Sequence, residues 1–231
     1  MLIIAQEFYH LKKKLFILFL SLNFFEPAFS QTAQFSLSTD LSVLHSFKKE
    51  QRFWAIGQTI TGHFNFTPKD GLYVWFAYYG NGKFSNQVTA PAKDTSTVPQ
   101  QVVYTNNAIM RFRHFSTGWR HYLKGGSNIE EGWSLYGYAG LGIFFGEIAN
   151  THSVPVDTAH YTIPVWQGKG NFKRLTLDLA LGYELPVGGD IFFYIEGRVL
   201  VPTTDYPSNY LFINANAPLT GSVNGGMRII F

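Results

Sequence analysis

The feature that most constrains the fold of this chain is a hydrophobic period of two, which recurs in eight segments. Because successive side chains of a β-strand point to opposite faces, each segment is predicted to be a strand between two environments. In six segments one face carries Leu, Ile, Val and Phe, and the other carries mainly Ser, Thr, Gly and Asn. The residue patterns of 72–79 and 108–122 allow no assignment of facing. The segments are 34–43, 53–67, 72–79, 108–122, 133–145, 172–185, 191–201 and 219–231.

The links between these segments alternate in length over most of the chain. Short links rich in turn residues fall at 68–71, 124–132 and 186–190, whereas 80–107, 150–171 and 202–218 are longer. The first link, 48–52, is short. Eight strands with short turns at one end and long loops at the other predict an all-β fold, an antiparallel up-and-down β-barrel.

Alternation alone is compatible with a soluble lipocalin-type barrel, whose apolar face lines a cavity, and with a transmembrane barrel, whose apolar face meets lipid. Lysine placement separates the two. The eight lysines after residue 30 all lie in links or at strand ends, and the charges within strands share a face with small polar residues. Since an Arg facing lipid costs about 2–4 kcal/mol near the bilayer midplane, the polar face is predicted to point inward. The barrel is therefore predicted to be transmembrane.

Residues 1–30 have the composition of an export signal. Lys12–Lys14 precede an apolar run, Leu15–Phe25, which is too short for the roughly 20 residues of a membrane-spanning helix. Ala28 and Ser30 occupy the small positions expected before a cleavage site. We expect cleavage before Gln31 and a barrel domain of residues 31–231; Glu26 and Pro27 disfavour the alternative of an uncleaved anchor helix.

The chain ends on Phe231, with Ile229 and Met227 two and four places before it. Together with the segments 118–123 and 135–142, this ending resembles the small OmpA/OmpX-type outer-membrane barrels. The resemblance implies a bacterial outer-membrane location, contact with outer-membrane lipid, and a monomeric barrel whose lumen is filled by side chains. It also implies that the assembly machinery recognises the C-terminal strand through Met227, Ile229 and Phe231.

Charged residues on the inward face are predicted to form a structural ion network, because buried charges need partners. A turn at 186–190 with Leu185 opposite Ile191 would place Asp178 opposite Arg198, so this pair is expected to interact. A lumen of eight strands is only wide enough for side chains, which argues against a water-filled pore. The residues of the expected network are Asp40, Arg174, Asp178, Glu184, Glu196, Arg198 and Arg228.

One pair of residues suggests chemistry. His114 and Ser116 point the same way on a strand, and the element resembles the His-x-Ser element of the outer-membrane lipid A deacylases. Thr117 stands where that family has Asn, and no partner acid is evident. A deacylase is therefore the alternative to a barrel with a structural or surface-interaction role and no catalysis.

Other functional classes have little support in the sequence. No cysteine is present, which excludes thiol nucleophiles and cysteine-bound zinc, and His121, His152 and His160 lack metal-site spacing, so no metal or cofactor is predicted. The 18 Lys and Arg residues are scattered among 15 Asp and Glu, so no nucleic-acid partner is predicted.

The long links are the remaining candidates for binding. Residues 80–107 and 150–171 carry aromatic residues among Thr, Ser, Pro and Asn, a composition able to bind a protein or glycan through exposed aromatic side chains. The alternative is that these links only extend the barrel rim. The aromatic residues are Phe84, Tyr104, Tyr161 and Trp166.

Overall fold

A computed structural model describes residues 34–231 and shows eight antiparallel strands closed into one barrel. The predicted signal peptide, 1–30, and its cleavage site before Gln31 lie outside the described residues. A short 3-10 helix, Lys49–Gln51, lies between the first two strands. The strands are β1 (Gln34–Ser46), β2 (Trp54–Asn65), β3 (Asp70–Pro91), β4 (Gln101–Lys124), β5 (Ser134–His152), β6 (Gly168–Gly188), β7 (Ile191–Pro202) and β8 (Thr220–Ile230).

Each strand pairs with its neighbours in the chain, and β8 pairs with β1 to close the ring. The closing ladder runs from Ser36 opposite Ile230 to Ser46 opposite Thr220. Because closure leaves no unpaired edge around the ring, strands within the ring pair on both sides, whereas residues 82–91 of β3 extend past the end of β2 and pair with β4 alone. The prediction of an all-β, eight-stranded antiparallel barrel is confirmed.

The two faces of the wall differ as the alternation predicts. Leu41, Ile56 and Leu141 point outward and are 71%, 73% and 67% exposed, whereas the residues next to them in sequence point inward and are buried or nearly so. These outward apolar side chains form a continuous surface around the barrel, which we call the outer belt. No helix within residues 34–231 is long and apolar enough to cross a membrane.

The structure supplies the facing of β3 and β4. On β3, Tyr73 and Trp75 point inward and are fully buried, while Val74 and Phe76 point outward. The lumen is lined here by aromatic residues, which makes both faces of β3 apolar. On β4, Arg120 is inside but Arg111 and Arg113 are outside, so cations occur on both faces.

Two of the three long links are shorter than predicted. Residues 80–91 continue β3 and residues 101–107 belong to β4, so only 92–100 connects them. The link predicted at 150–171 shortens to 153–167 because β5 and β6 both extend into it. The β3–β4 extension persists because its inward residues Val88, Ala90 and Tyr104 bury apolar surface against Tyr161.

We call the end of the barrel that carries the links 47–53, 92–100, 153–167 and 203–219 the loop end, and the opposite end the turn end. At the turn end, Gly189 and Asp190 alone separate β6 from β7, and Gly189 has the positive φ of 56° that this tight turn requires. As a result Leu185 lies opposite Phe193. The expected register with Ile191 is wrong by two residues because the strands run further into the turn.

Aromatic side chains fill the half of the lumen nearer the loop end. The rings of Phe112 and Phe144 stack with centroids 4.4 Å apart, and Phe172 lies 5.8 Å beyond Phe144. Gly146 lies opposite Phe172 in the ladder, and a Cβ atom at Gly146 would overlap the Phe172 ring. The space left beside Gly146 on β5 therefore accommodates the Phe172 ring of β6.

Candidate functional site

The barrel interior holds four arginines and four carboxylates, all buried. Their formal charges cancel, as expected for ions removed from water. All seven residues expected in the interior lie there. Arg120 is the eighth, which sequence reasoning missed because the two faces of β4 could not be distinguished. The eight residues are Arg120, Arg174, Arg198, Arg228, Asp40, Asp178, Glu184 and Glu196.

Glu184 on β6 is the centre of the strongest ionic cluster. Arg120 Nη2 donates to Glu184 Oε2 over 3.0 Å, and Arg228 Nε donates to the same oxygen over 2.9 Å. The guanidinium of Arg120 also lies between aromatic rings, 4.4 Å from the centroid of Tyr122 and 4.0 Å from that of Tyr136. Residues from three strands, β4, β6 and β8, are thereby joined across the lumen.

Arg228 also links this cluster to the turn end. Its Nη2 donates to the carbonyl oxygen of Ser127 over 2.7 Å, and Ser127 itself is buried. The β4–β5 link therefore folds inward beneath the barrel and is held there by an ionised side chain, a hydrogen bond stronger than one between neutral groups.

Arg198 pairs with Glu196 on its own strand. Its Nη2 lies 2.8 Å from Glu196 Oε1, and its guanidinium carbon lies 3.9 Å from the centroid of the Trp75 ring. The expected Asp178–Arg198 pairing across β6 and β7 is wrong, because the observed register places Asp178 opposite Leu200 and Arg198 opposite Ala180.

Two interior carboxylates use hydroxyl groups instead of arginines. Asp40 Oδ2 accepts hydrogen bonds from Thr59 Oγ1 at 2.7 Å and Tyr194 OH at 2.6 Å. Asp178 accepts one from Thr176 Oγ1 at 2.7 Å. The interior is therefore a set of small clusters rather than one ion network.

Arg174 has a different set of partners from the other arginines. It donates to the backbone carbonyl oxygens of Ala217 at 3.0 Å and of Tyr206 and Asn214 at 3.2 Å. All three acceptors belong to the 203–219 link. Arg174 thus fastens this link over the loop end.

One gap between the interior side chains is closed to water. The gap bounded by Ser38, His63, Tyr138, Glu196 and Arg228, among others, has no volume that a water molecule could occupy. Among the residues that the structure describes, no group of three or more His, Asp or Glu side chains could hold a metal ion.

His114 and Ser116 both point into the lumen and are fully buried. His114 Nε2 lies 2.8 Å from Thr176 Oγ1 and 3.6 Å from Asp178 Oδ2, while Ser116 Oγ donates to Tyr73 OH over 3.5 Å. The fold brings a carboxylate from β6 to this pair, which the sequence did not reveal. Neither His114 nor Ser116 is exposed at the outer surface of the wall.

The aromatic residues of the long links mostly lie inside the rim. Phe84, Tyr104 and Tyr161 are buried, so the expectation that they are exposed is wrong, whereas Trp166 is 47% exposed. Tyr161 joins the 153–167 link to the β3–β4 extension: it pairs with Ala92, and its hydroxyl donates to the Pro99 carbonyl over 3.0 Å. The rim is therefore a packed structure.

A local hydrogen-bond cluster shapes the 153–167 link. The Asp157 carboxylate is hydrogen-bonded to His160 Nδ1 at 2.6 Å and accepts from the Ala159 amide at 2.8 Å. These contacts lower the pKa of Asp157 below its ordinary value. The apolar side chains that this link leaves exposed are Val154 and Trp166.

The C-terminal strand presents its predicted assembly residues on the outer surface. Met227, Ile229 and Phe231 are 55%, 43% and 72% exposed, and the Phe231 ring stacks on Phe35 of β1 with centroids 5.9 Å apart. Their role in recognition by the assembly machinery stays a prediction.

The Glu184 cluster generates a test of the interior charges. Glu184→Gln keeps the side-chain size but leaves Arg120 and Arg228 buried without a countercharge, so we expect the free energy of unfolding in vesicles to fall by about 3–5 kcal/mol. Glu147→Gln, outside the barrel on β5, is the control and should change it by less than about 0.5 kcal/mol. Equal denaturant midpoints for the two variants would contradict this interpretation.

Comparison with known proteins supports the architecture. No protein-family model and no curated protein matches the chain. Neisserial surface protein A matches with a TM-score of 0.54 at 10% identity, over 85% of this chain and 97% of that one. The attachment invasion locus protein Ail of Yersinia pestis matches with a TM-score of 0.49 at 10% identity, over 87% of this chain and all of the other. With the closed ring, the filled lumen and the outer belt, the chain has the fold of the small eight-stranded outer-membrane β-barrel proteins.

Proposed function

We propose that this protein is a bacterial outer-membrane barrel that acts as a closed scaffold and presents its loop end at the cell surface to bind a protein or glycan. The observation that carries the proposal is the outer belt. On β6 the outer belt extends from Leu175, on the side of the loop end, to Leu185, near the turn end. Ten residues of a strand tilted by about 40° rise about 25 Å, which matches the apolar band of a transmembrane barrel.

The orientation follows from the lengths of the links. Barrels of this kind have short periplasmic turns and longer extracellular loops, so the turn end is assigned to the periplasm and the loop end to the cell exterior. The exposed C-terminal residues, Met227, Ile229 and Phe231, are proposed to be read by the barrel-assembly machinery before they meet lipid.

A role as a scaffold agrees better with the interior than a role in transport. The ionic clusters and the stacked aromatic rings occupy the lumen, Arg174 holds a link over the loop end, and the gap beside Glu196 and Arg228 is too small for water. The rim is the surface that remains available. The rim holds exposed apolar side chains on two of its links: Val98 is 87% exposed, and Trp166, whose ring packs edge-on against Tyr210, is 47% exposed.

The membrane location is tested by fractionation. We expect the protein in the outer-membrane fraction, with faster gel mobility before boiling than after, because a closed hydrogen-bonded barrel resists unheated detergent. Recovery as a soluble periplasmic protein would refute the proposed location.

The surface role is tested at Trp166. We expect Trp166→Ser combined with Val98→Ser to reduce attachment of expressing cells to protein- and glycan-coated surfaces, because exposed aromatic and apolar side chains contribute most to contact energy. The control is Gln167→Ser, a change of the next exposed residue that leaves the apolar surface intact.

Both variants must retain heat-modifiable mobility, which shows that the barrel is assembled. If the double variant attached as well as the parent, or if no coated surface retained cells expressing the parent, the rim would have only a structural role.

The deacylase alternative is tested at Ser116. Since Ser116 and His114 lie inside the wall and a lipid A ester lies outside it, we expect Ser116→Ala to leave the lipid A acylation pattern of the host membrane unchanged. Mass spectrometry of extracted lipid A provides the measurement. A change in lipid A mass caused by this substitution alone would establish the deacylase instead.

A further inference from the structure

A groove of about 390 Å³ lies against the outside of the wall, across β4, β5 and β6, and its side chains are unlike the rest of the outer surface. Arg111 and Arg113 on β4 and Lys173 on β6 line it, together with one carboxylate, Glu147 on β5. We call this the cationic groove. Three cations against one carboxylate give it a net positive charge.

The cationic groove lies immediately above the outer belt. Phe115 is the last apolar outward residue of β4 before Arg113, and Leu175 is the last of β6 before Lys173. Between them, Phe145 lies opposite both Arg113 and Lys173 in the strand ladders. With the orientation proposed above, the cations lie at the height where acyl chains of the outer leaflet end and polar headgroups begin.

These cations form no ion pair with any of the residues that the structure describes. Arg111 lies directly opposite Glu147 in the β4–β5 ladder, yet the two form no ion pair. Within residues 34–231 the side chains of Arg113 and Lys173 donate no hydrogen bond. By contrast, the buried arginines on the other side of the same wall are all hydrogen-bonded. The donors of the groove are therefore free to bind an external anion.

We propose that the cationic groove binds a phosphate-bearing glycolipid of the outer leaflet. Two arginines can each form paired N–H···O bonds with phosphate oxygens, and Lys173 adds a third positive charge. The Tyr78 ring borders the groove, and Phe115, Phe145 and Leu175 provide apolar surface for acyl chains at its lower side. A soluble phosphate would use only the contacts with the cations, whereas a phosphorylated lipid would also use the apolar surface that receives its acyl chains.

The inference rests on the proposed membrane orientation, and its test uses folded protein so that the two can fail separately. The barrel is folded in an uncharged detergent, folding is checked by heat-modifiable mobility, and diphosphorylated lipid A is titrated while native mass spectrometry counts bound lipid. If the protein does not fold in detergent, the proposed function fails; if it folds and binds no lipid A, only this inference fails.

Three variants locate the binding site. We expect the combined substitution R111Q/R113Q/K173Q to weaken lipid A binding by about tenfold or more, because the charge-assisted bonds to phosphate are lost. The matched control K48Q/K49Q/R52Q removes the same charge from the β1–β2 link, where no groove exists among the described residues, and should bind as the parent does. Glu147→Gln removes the one acidic group of the groove and should bind more tightly.

The chemical class of the ligand is tested with two further probes. Dephosphorylated lipid A should bind about as weakly as lipid A binds to the groove variant, and inorganic phosphate at the same concentration should not displace bound lipid A. Equal weakening in both triple variants, or equal binding of dephosphorylated lipid A, would overturn the proposal. Displacement by inorganic phosphate would show a soluble-anion site instead.

Discussion

The hydrogen bonds between β1 and β8 are the constraint on which the rest of the structure depends. Once Phe231 donates its amide to the Phe35 carbonyl and the ladder from Ser36 to Ser46 is paired, the sheet has no edge. In a hydrocarbon environment this is the arrangement that satisfies every strand amide and carbonyl without helices. Closure also encloses a narrow interior that only side chains can fill.

The filling of that interior divides it into two parts. Toward the loop end the rings of Phe112, Phe144 and Phe172 form an apolar stack, while nearer the turn end Glu184 holds Arg120 and Arg228. Each ionised group has a partner close by, because an unpartnered buried charge would cost several kcal/mol. Two interior arginines also bind the links. Arg174 donates to the Ala217 carbonyl of the 203–219 link at the loop end, and Arg228 donates to the Ser127 carbonyl of the β4–β5 link at the turn end. The interior charged residues thus stabilise the barrel wall and hold one link at each end of the barrel.

The outside of the wall has two surfaces with different partners. In the proposed membrane location, the outer belt lies in lipid and the packed rim above it lies in water. The cationic groove lies at the boundary between them, and its two arginines face outward from β4, the strand that also carries the interior Arg120. On β4 this contrast is direct: Arg113 faces outward and His114, the next residue, is fully buried. One strand therefore contributes both to the closed interior and to the proposed lipid site.

The sequence by itself determined the strand count, the antiparallel order and the inward position of residues such as Asp40 and Glu196, because a period of two is a local property of each segment. It could not assign faces on β3, where Tyr73 and Trp75 line the lumen and Val74 and Phe76 line the exterior, because both environments accept aromatic or apolar side chains. The Asp178–Arg198 error arose from a turn only two residues long, and register depends on the turn and not on the alternation. Only the closed ring brought Asp178 to His114 and Arg120 to Glu184. These pairs come from strands that are not neighbours, and their contact depends on the width of the enclosed space.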